Sequence, residues 1–391
     1  MTRDLPYGRQ TLGPEEEDLV REVLRSDWLT QGPRVPEFER DLAAVCGAPC
    51  AVAVNNGTSA LYLACRAAGL APGDLFLTSP VTFAATANAG LLCGAGPVFA
   101  DVDPETGNLD IGAVAAALET HPRIKAILPV HLGGRICDLE ALDELAGRHE
   151  AVVIEDACHA LGGAWPARDG KVHPVGSCAR SLMTCFSFHP VKTITTGEGG
   201  AITTCDPELD EKLRMLRTHG ITRDPRLLHE NHGPWYYEMH DLGINARLTD
   251  IQAAVGIVQL RRLETWRKRR LELVQRYDRG LAAVPEVAVQ RRPRGEDLTC
   301  WHLMIIRTPR RDELFAHLHA QGIGAQVHYL PLHLHPYYRE RFGFAAGDFP
   351  GAEAYYAQAL SLPLFPAMTD GDCDRVIEAV ADFFRTGPRA P

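Results

Sequence analysis

Between Cys50 and Ala157 the chain repeats one pattern: a short apolar run, a loop, then a helical stretch. CAVAV (50–54) reads as a strand, NNGT (55–58) as a loop and residues 59–68 as a helix. LFLTSP (75–80) precedes a helix of small residues, TFAATANAGLLCG (82–94), and GPVFADVD (96–103) precedes the helix IGAVAAALET (111–120). IKAILPVHLGG (124–134) is strand and loop, LEALDELAGRH (139–149) is helix, and AVVIEDA (151–157) is strand. Strands separated by helical crossovers pair in parallel, and a parallel sheet is covered by helices on both faces. The pattern therefore predicts an α/β fold around a parallel or mostly parallel sheet.

The second half changes character. FSFHPVKTITTGEGGAITT (186–204) reads as strand, glycine-containing loop, strand. Residues 221–240 are polar and aromatic without a period, which predicts a long loop. A helix follows from Asp250 to about Leu281. Beyond it, WHLMIIR (301–307) and AQVHYL (325–330) read as strands around the helix RDELFAHLHAQG (311–322), and DCDRVIEAVADFFR (372–385) closes the chain as a helix. The division expected is a large domain over residues 1–250, with the long helix and a small C-terminal α/β domain over 251–391. A chain of 391 residues has room for both.

A formal net charge of −10 gives no general attraction for nucleic acid, so anionic ligands need local positive sites. No apolar run approaches the roughly 18 residues of a membrane span, and the polar N-terminus lacks a signal core, so the expected location is the cytoplasm. Eleven scattered cysteines without a CxxC pair argue against a disulfide framework or a zinc site.

Four groups carry chemistry. The strand ending at Glu155-Asp156 puts an acid where open sheets collect ligands, with His159 three residues on. The bland reading of Asp156 is a helix cap. NNGTSALYLA (55–64) opens a helix with glycine and hydroxyls, a phosphate cradle or an ordinary cap. It is not a P-loop, and GEGG (197–200) is not a dinucleotide fingerprint. Phe83 follows a strand end, where it stacks on a ring or packs in the core. Lys192 lies alone on its loop as a solvated charge or a Schiff-base amine of depressed pKa. A cradle, an acid, an aromatic and an amine together meet the requirements of pyridoxal 5′-phosphate (PLP).

In combination, GTSAL (57–61), TFAATAN (82–88), IEDACHALGG (154–163), FSFHPVKTITTGEGG (186–200), LGINARLTDIQAA (242–254), GIGAQVHYLPLHLHPYY (322–338) and SLPLFP (361–366) resemble the DegT/DnrJ/EryC1/StrS family of PLP-dependent nucleotide-sugar aminotransferases, over nearly the whole chain. The resemblance implies fold type I, with a mostly parallel, seven-stranded-type sheet flanked by helices plus the small C-terminal domain. It implies that Lys192 bonds the cofactor aldehyde and then moves the substrate proton. It further implies that Asp156 pairs with the pyridinium nitrogen, His159 stands near the 3-hydroxyl, and Phe83 stacks on the ring. Gly57, Thr58 and Ser187 would hold the phosphate, and Asn245 would reach it from a neighbouring subunit, so a homodimer with shared sites is expected. Tyr7, Asp27, Trp28, Leu29, Thr30, Gln326, Val327, His328 and Tyr329 match sugar-lining positions, and Arg247 a position for the nucleotide diphosphate. L-glutamate is the expected amino donor and a nucleotide sugar the acceptor. PYGRQ (6–10), SDWLTQGP (26–33) and THGITRD…GPWYYEMHDLG (218–243) bring the chain nearest to the branch that aminates 4-keto-6-deoxy-N-acetyl-altrosamine nucleotides. NNGTSAL and GINAR, where Ala246 replaces an aromatic, depart from that branch.

Three rivals exist. A sugar dehydratase of the same fold carries histidine in place of Lys192. A PLP-binding sensor has no need of an intact Lys192 and Asp156. A metal hydrolase built on His328, His333 and His335 lacks an accompanying acid.

Overall fold

Each apolar run of the repeating half forms a strand in the computed structural model, which describes residues 4–290 and 295–386. The strands are β1 (Cys50–Val54), β2 (Leu75–Thr78), β3 (Gly96–Phe99), β4 (Ile124–Leu128), β5 (Val152–Asp156), β6 (Met183–Ser187) and β7 (Gly200–Thr204). They make one seven-stranded sheet in the order β1-β7-β6-β5-β4-β2-β3. Neighbours from β6 through β3 run parallel, and β7 is antiparallel to both β1 and β6. Because β7 runs backwards, its first residue, Gly200, pairs with the last residues of two parallel strands, Val54 and Ser187.

The helices of this half are α1 (Pro14–Leu24), α2 (Arg34–Cys46), α3 (Gly57–Ala67), α4 (Ala84–Leu92), α5 (Ile111–Thr120), α6 (Leu139–Arg148) and α7 (Pro207–Leu216). They cover both faces of the sheet, as a parallel sheet needs. Leu61, Leu63 and Ala64 of α3 and Ala87 of α4 pack with Phe76, Ile154 and Ile202. On the opposite face Phe38 and Leu42 of α2 pack with Phe186 and Phe188. α3 begins two residues before the expected start because Asn56 caps it: its Oδ1 accepts the Ser59 N–H at 2.8 Å.

The long helix α8 (Asp250–Leu281) starts at a capping box between Thr249 and Gln252 and spans about 48 Å. Its first half packs through Ile257, Leu263 and Trp266 against the α2 face of the large sheet. Its second half, Leu273, Val274, Tyr277 and Leu281, belongs to a separate core. That core joins α9 (Arg311–Ala320), α12 (Asp370–Thr386) and a three-stranded antiparallel sheet of β8 (Ala288–Val289), β9 (Met304–Arg307) and β10 (Ala359–Leu362). Leu5 joins the same core, and its N–H and carbonyl bond Gly322 and Gly324 at 2.9 and 2.7 Å. Between α9 and β10 lie α10 (Pro336–Phe342) and α11 (Pro350–Gln358).

Three expectations are revised. AQVHYL is not a strand; only Gln326 bridges Ser361, after which His328 and Tyr329 turn into a cavity rather than continue a ladder. GPVFADVD pairs as a strand only over Gly96–Phe99. The loop at 221–240 holds a two-residue ladder, Ile221–Thr222 with Glu238–Met239. No described helix is long and apolar enough to cross a membrane.

Candidate active site

The carboxyl ends of β1, β5 and β6 open onto one cavity of about 530 Å³, the position where α/β sheets collect ligands. Tyr7, Gly57, Thr58, Phe83, Asp156, His159, Ser187, Lys192, His328 and Tyr329 all line it.

Lys192 follows β6 on a loop tied down by its own threonines. Thr195 Oγ1 and Thr196 N–H both donate to the Phe188 carbonyl at 3.0 Å, and Thr196 Oγ1 donates to Glu198 O at 2.6 Å. The amine is thereby held at the cavity wall. Burial lowers its pKa from the usual 10.5, and the fields of Cys158 and Asp156 oppose that only in part. A larger share of the amine is neutral, and so nucleophilic, than for a lysine in water.

Asp156 ends β5 with its carboxylate buried but anchored. Thr86 Oγ1 donates to Oδ2 at 2.6 Å, and the Cys158 N–H donates to Oδ1 at 3.1 Å. Thr86 is in turn 2.7 Å from Thr82 Oγ1. Beneath it, Glu155 points the other way. It accepts from His131 Nε2 at 2.8 Å, Ser181 Oγ at 2.5 Å and Thr184 Oγ1 at 2.9 Å. Two adjacent acids of one strand thus serve opposite faces of the sheet, as strand alternation dictates.

His159 Nδ1 accepts the Gly133 N–H at 3.2 Å, so the ring's proton lies on Nε2, 3.3 Å from Tyr329 Oη. Burial and the nearby Lys192 hold its pKa well below 6.5, in accord with a neutral ring. The His302 ring lies against it at 4.4 Å between centroids, tilted by 38°. His328 is pushed down to about 4 by burial and Lys192, and its Nδ1 meets Ser361 Oγ at 2.8 Å. Tyr7 comes from the N-terminal segment docked on the C-terminal core and stands 5.6 Å from the His328 ring.

The α3 N-terminus forms the floor. Asn56 occupies the Ser59 N–H, while the Gly57 and Thr58 N–H groups precede the first intrahelical bonds and border the cavity beside Ser187. The approach is close: a Cβ on Gly57 would lie 2.8 Å from Ser187 Cβ, and one on Gly200 would lie 2.5 Å from the Asn56 carbonyl. Only glycine allows both contacts. Phe83, the residue before α4, is 61 % exposed and lines the cavity.

These residues fit PLP. The helix N-terminus with Ser187 suits its phosphate, the anchored Asp156 its ring nitrogen, the open Phe83 face its ring, and Lys192 its aldehyde.

Other expected residues lie elsewhere on the chain. Asp27, Trp28, Leu29 and Thr30 form an exposed segment whose Thr30 bridges Thr249. Asn245 is exposed and pairs with Thr218, outside the cavity. Arg247 borders a separate groove of about 510 Å³ with Gln31, Arg214 and Arg217. Gln326 bridges Ser361, and Val327 packs on the C-terminal core. His333 bonds Glu353 at 3.0 Å, and no metal-capable group of three includes His328, His333 or His335 among the described residues. Thr82, Thr86 and His302 were not singled out from the sequence. Thr82 and Thr86 stand four residues apart at a helix start, a spacing that could have flagged them. The link to Asp156 spans 70 residues and leaves no local trace.

Comparison with known proteins gives concordant results. The profile of the DegT/DnrJ/EryC1/StrS aminotransferase family matches residues 10–381. The spore coat polysaccharide biosynthesis protein SpsC of Bacillus subtilis (strain 168) is 42% identical over 388 residues, 97% of each chain. Spr1654 of Streptococcus pneumoniae, named as a sugar aminotransferase and solved in its PLP form, superposes with a TM-score of 0.89 at 29% identity, covering 98% of this chain and 99% of that one. PseC of Helicobacter pylori, an aminotransferase involved in the biosynthesis of pseudaminic acid, superposes with a TM-score of 0.88 at 32% identity, covering 98% and 100%.

Proposed function

The chain belongs to the DegT/DnrJ/EryC1/StrS aminotransferase family and is a PLP-dependent sugar aminotransferase; from that premise we propose that it moves an amino group from L-glutamate to C4 of a 4-keto-6-deoxy nucleotide sugar, of the UDP-4-keto-6-deoxy-N-acetyl-L-altrosamine type. The observation that carries the amino-transfer reading is the convergence of Lys192, the Thr86-anchored Asp156 and the α3 N-terminus on one cavity. The likeness to PseC and the DWLT and GPWYYEMHDLG segments support the choice of sugar.

When bound, PLP supplies an electron sink for the carbon that carries the amine. Lys192 Nζ holds the cofactor's aldehyde end at rest. Free of that bond, its amine would act as the base at the donor's α-carbon and would return a proton to the sugar's C4 from a single face, which sets the configuration. Asp156 would keep a proton on the ring nitrogen through a charge-assisted bond. The Gly57 and Thr58 N–H groups with Ser187 Oγ would bind the phosphate, Phe83 would cover the ring, and the neutral His159 would donate from Nε2. Glutamate and the keto sugar occupy the same cavity in turn, which makes the kinetics ping-pong. Tyr7, His328 and Tyr329 line the sugar's end.

Two subunits share each site in this reading. Asn245 reaches the neighbour's phosphate, Arg247 the nucleotide diphosphate, and the exposed Asp27–Thr30 segment borders the neighbour's cavity. The cytoplasm is the compartment assigned, in keeping with eleven cysteines that are all free.

A second reading keeps the chemistry and changes the sugar to another 3- or 4-keto nucleotide. Ala246, in place of the aromatic that the family resemblance implies, favours it: the residue is fully buried and its carbonyl bonds the Asn55 N–H at 2.9 Å, so it offers nothing to a ligand. The test is a panel of keto UDP-, dTDP- and GDP-sugars given to enzyme first converted to its amine form with glutamate. Preferential amination of the 4-keto-6-deoxy-altrosamine nucleotide is expected. A preference for another keto sugar selects the second reading, and failure of glutamate to bleach the yellow enzyme overturns the proposed donor.

A further inference from the structure

The excursion between Thr222 and Glu238 is closed at its base by a two-residue ladder, and its Arg226 reaches Glu211 of α7 at 3.1 Å. Its two legs meet at three side chains. Glu238 Oε2 lies 3.0 Å from His229 Nδ1 and 2.7 Å from His240 Nε2, and the two imidazoles stack at 5.0 Å between centroids. One ligand atom from each lies within 4.8 Å of the others, the only such group of three among the described residues. The other carboxylate oxygen is committed elsewhere. Oε1 accepts from the His229 and Glu230 N–H groups at 3.0 and 2.9 Å and from Tyr236 Oη at 3.0 Å. Oε2 also accepts the His229 N–H at 3.0 Å, so both oxygens are tied to the His229–Glu230 backbone while Oε2 faces the two imidazole nitrogens.

We propose that His229, Glu238 and His240 bind a divalent transition-metal ion of the zinc class, which cross-links the two legs of the excursion. Two imidazoles and one carboxylate match the nitrogen-rich donor sets of zinc, whereas magnesium and calcium take oxygen ligands. Zinc ligands stand at roughly 2.0–2.2 Å from the ion, which sets tetrahedral donors about 3.4 Å apart; the carboxylate oxygen has to draw back from its two nitrogens at 3.0 and 2.7 Å, and the two imidazoles, within 4.8 Å of each other, have to settle to that spacing. His229 is free to give way, with a side chain 82% exposed. A fourth position is left to water. The competing arrangement is a carboxylate hydrogen-bonded by both rings, with no ion.

The proposal is independent of the amino-transfer reading, and so is its test. Full-length, untagged, PLP-loaded enzyme is stripped with EDTA and titrated calorimetrically with zinc, with cobalt(II) in parallel to read the ligand-field band. One zinc per chain is expected, with affinity reduced at least about tenfold in both His240→Ala and Glu238→Gln. Zinc is also expected to slow tryptic cleavage at Arg223 and Arg226 in the wild type alone. The cofactor absorbance of each variant reports that it has folded, and His229→Asn provides a third variant should one fail. No saturable binding, or binding unaltered in these variants, overturns the site.

Discussion

Thr86 Oγ1 donates a 2.6 Å hydrogen bond to Asp156 Oδ2, joining the first turn of α4 to the end of β5. The bond fixes the rotamer of a buried carboxylate that Cys158 also bonds, its N–H donating to Oδ1 at 3.1 Å. Thr86→Val keeps the shape and removes the donor. Hydrogen bonds to charged groups contribute roughly 1.5–3 kcal/mol, so turnover should fall about tenfold or more while cofactor content stays near wild type. Thr86→Ser should restore most of it. Wild-type turnover in the valine variant would show that the carboxylate is positioned by other contacts.

Lys192→Ala should lose the yellow absorbance of the wild type together with turnover. The lysine's pKa also predicts a stability effect in the cofactor-free protein. Burial lowers the pKa in the folded state below 10.5, so the unfolded chain binds more protons between the two values. Stability of the cofactor-free enzyme should therefore rise with pH across that window. Lys192→Met should flatten the rise. A rise of equal slope in the variant, followed by calorimetric melting, would assign it to another group.

Glu155 gives the opposite limb. Burial disfavours its charge, but bonds from His131, Ser181 and Thr184 outweigh burial, and its pKa lies below 4.5. A carboxylate with a depressed folded pKa contributes stability above its unfolded pKa and loses it as pH falls through the folded one. Glu155→Gln should melt earlier at neutral pH, by about 1–3 kcal/mol for the mismatched donors, and should show a shallower acid limb. An unchanged acid limb in urea titrations at pH 3–5 would contradict the assignment.

Asn245 tests the shared site. Subunits carrying Lys192→Ala and subunits carrying Asn245→Asp, each inactive alone, are mixed and re-associated. If Asn245 serves the neighbour, each heterodimer has one site with both defects and one with neither, and random mixing should recover about a quarter of wild-type activity. Heterodimers confirmed by native mass spectrometry yet without activity would place Asn245 in its own subunit's service.

The strand–helix alternation from Cys50 to Ala157 and the lysine loop were legible in the chain, because each rests on contacts between residues a few positions apart; the start of α3 was legible only to within two residues, since Asn56 rather than a threonine or serine caps it. Period, caps and glycine-rich turns are local physics. Strand order was not legible. The antiparallel β7 inserts between β1 and β6, so that Gly200 meets Val54 and Ser187, some 146 and 13 residues away. Nor could any local pattern show that Thr86 holds Asp156, that Leu5 anchors the N-terminal segment beside Ile323, or that AQVHYL gives up its ladder to turn His328 and Tyr329 inward. Those pairings exist only once helices and strands have packed and the entropy of closing long loops has been met by burial. The chemical groups are a property of the chain, and their convergence on one cavity is a property of the packed fold.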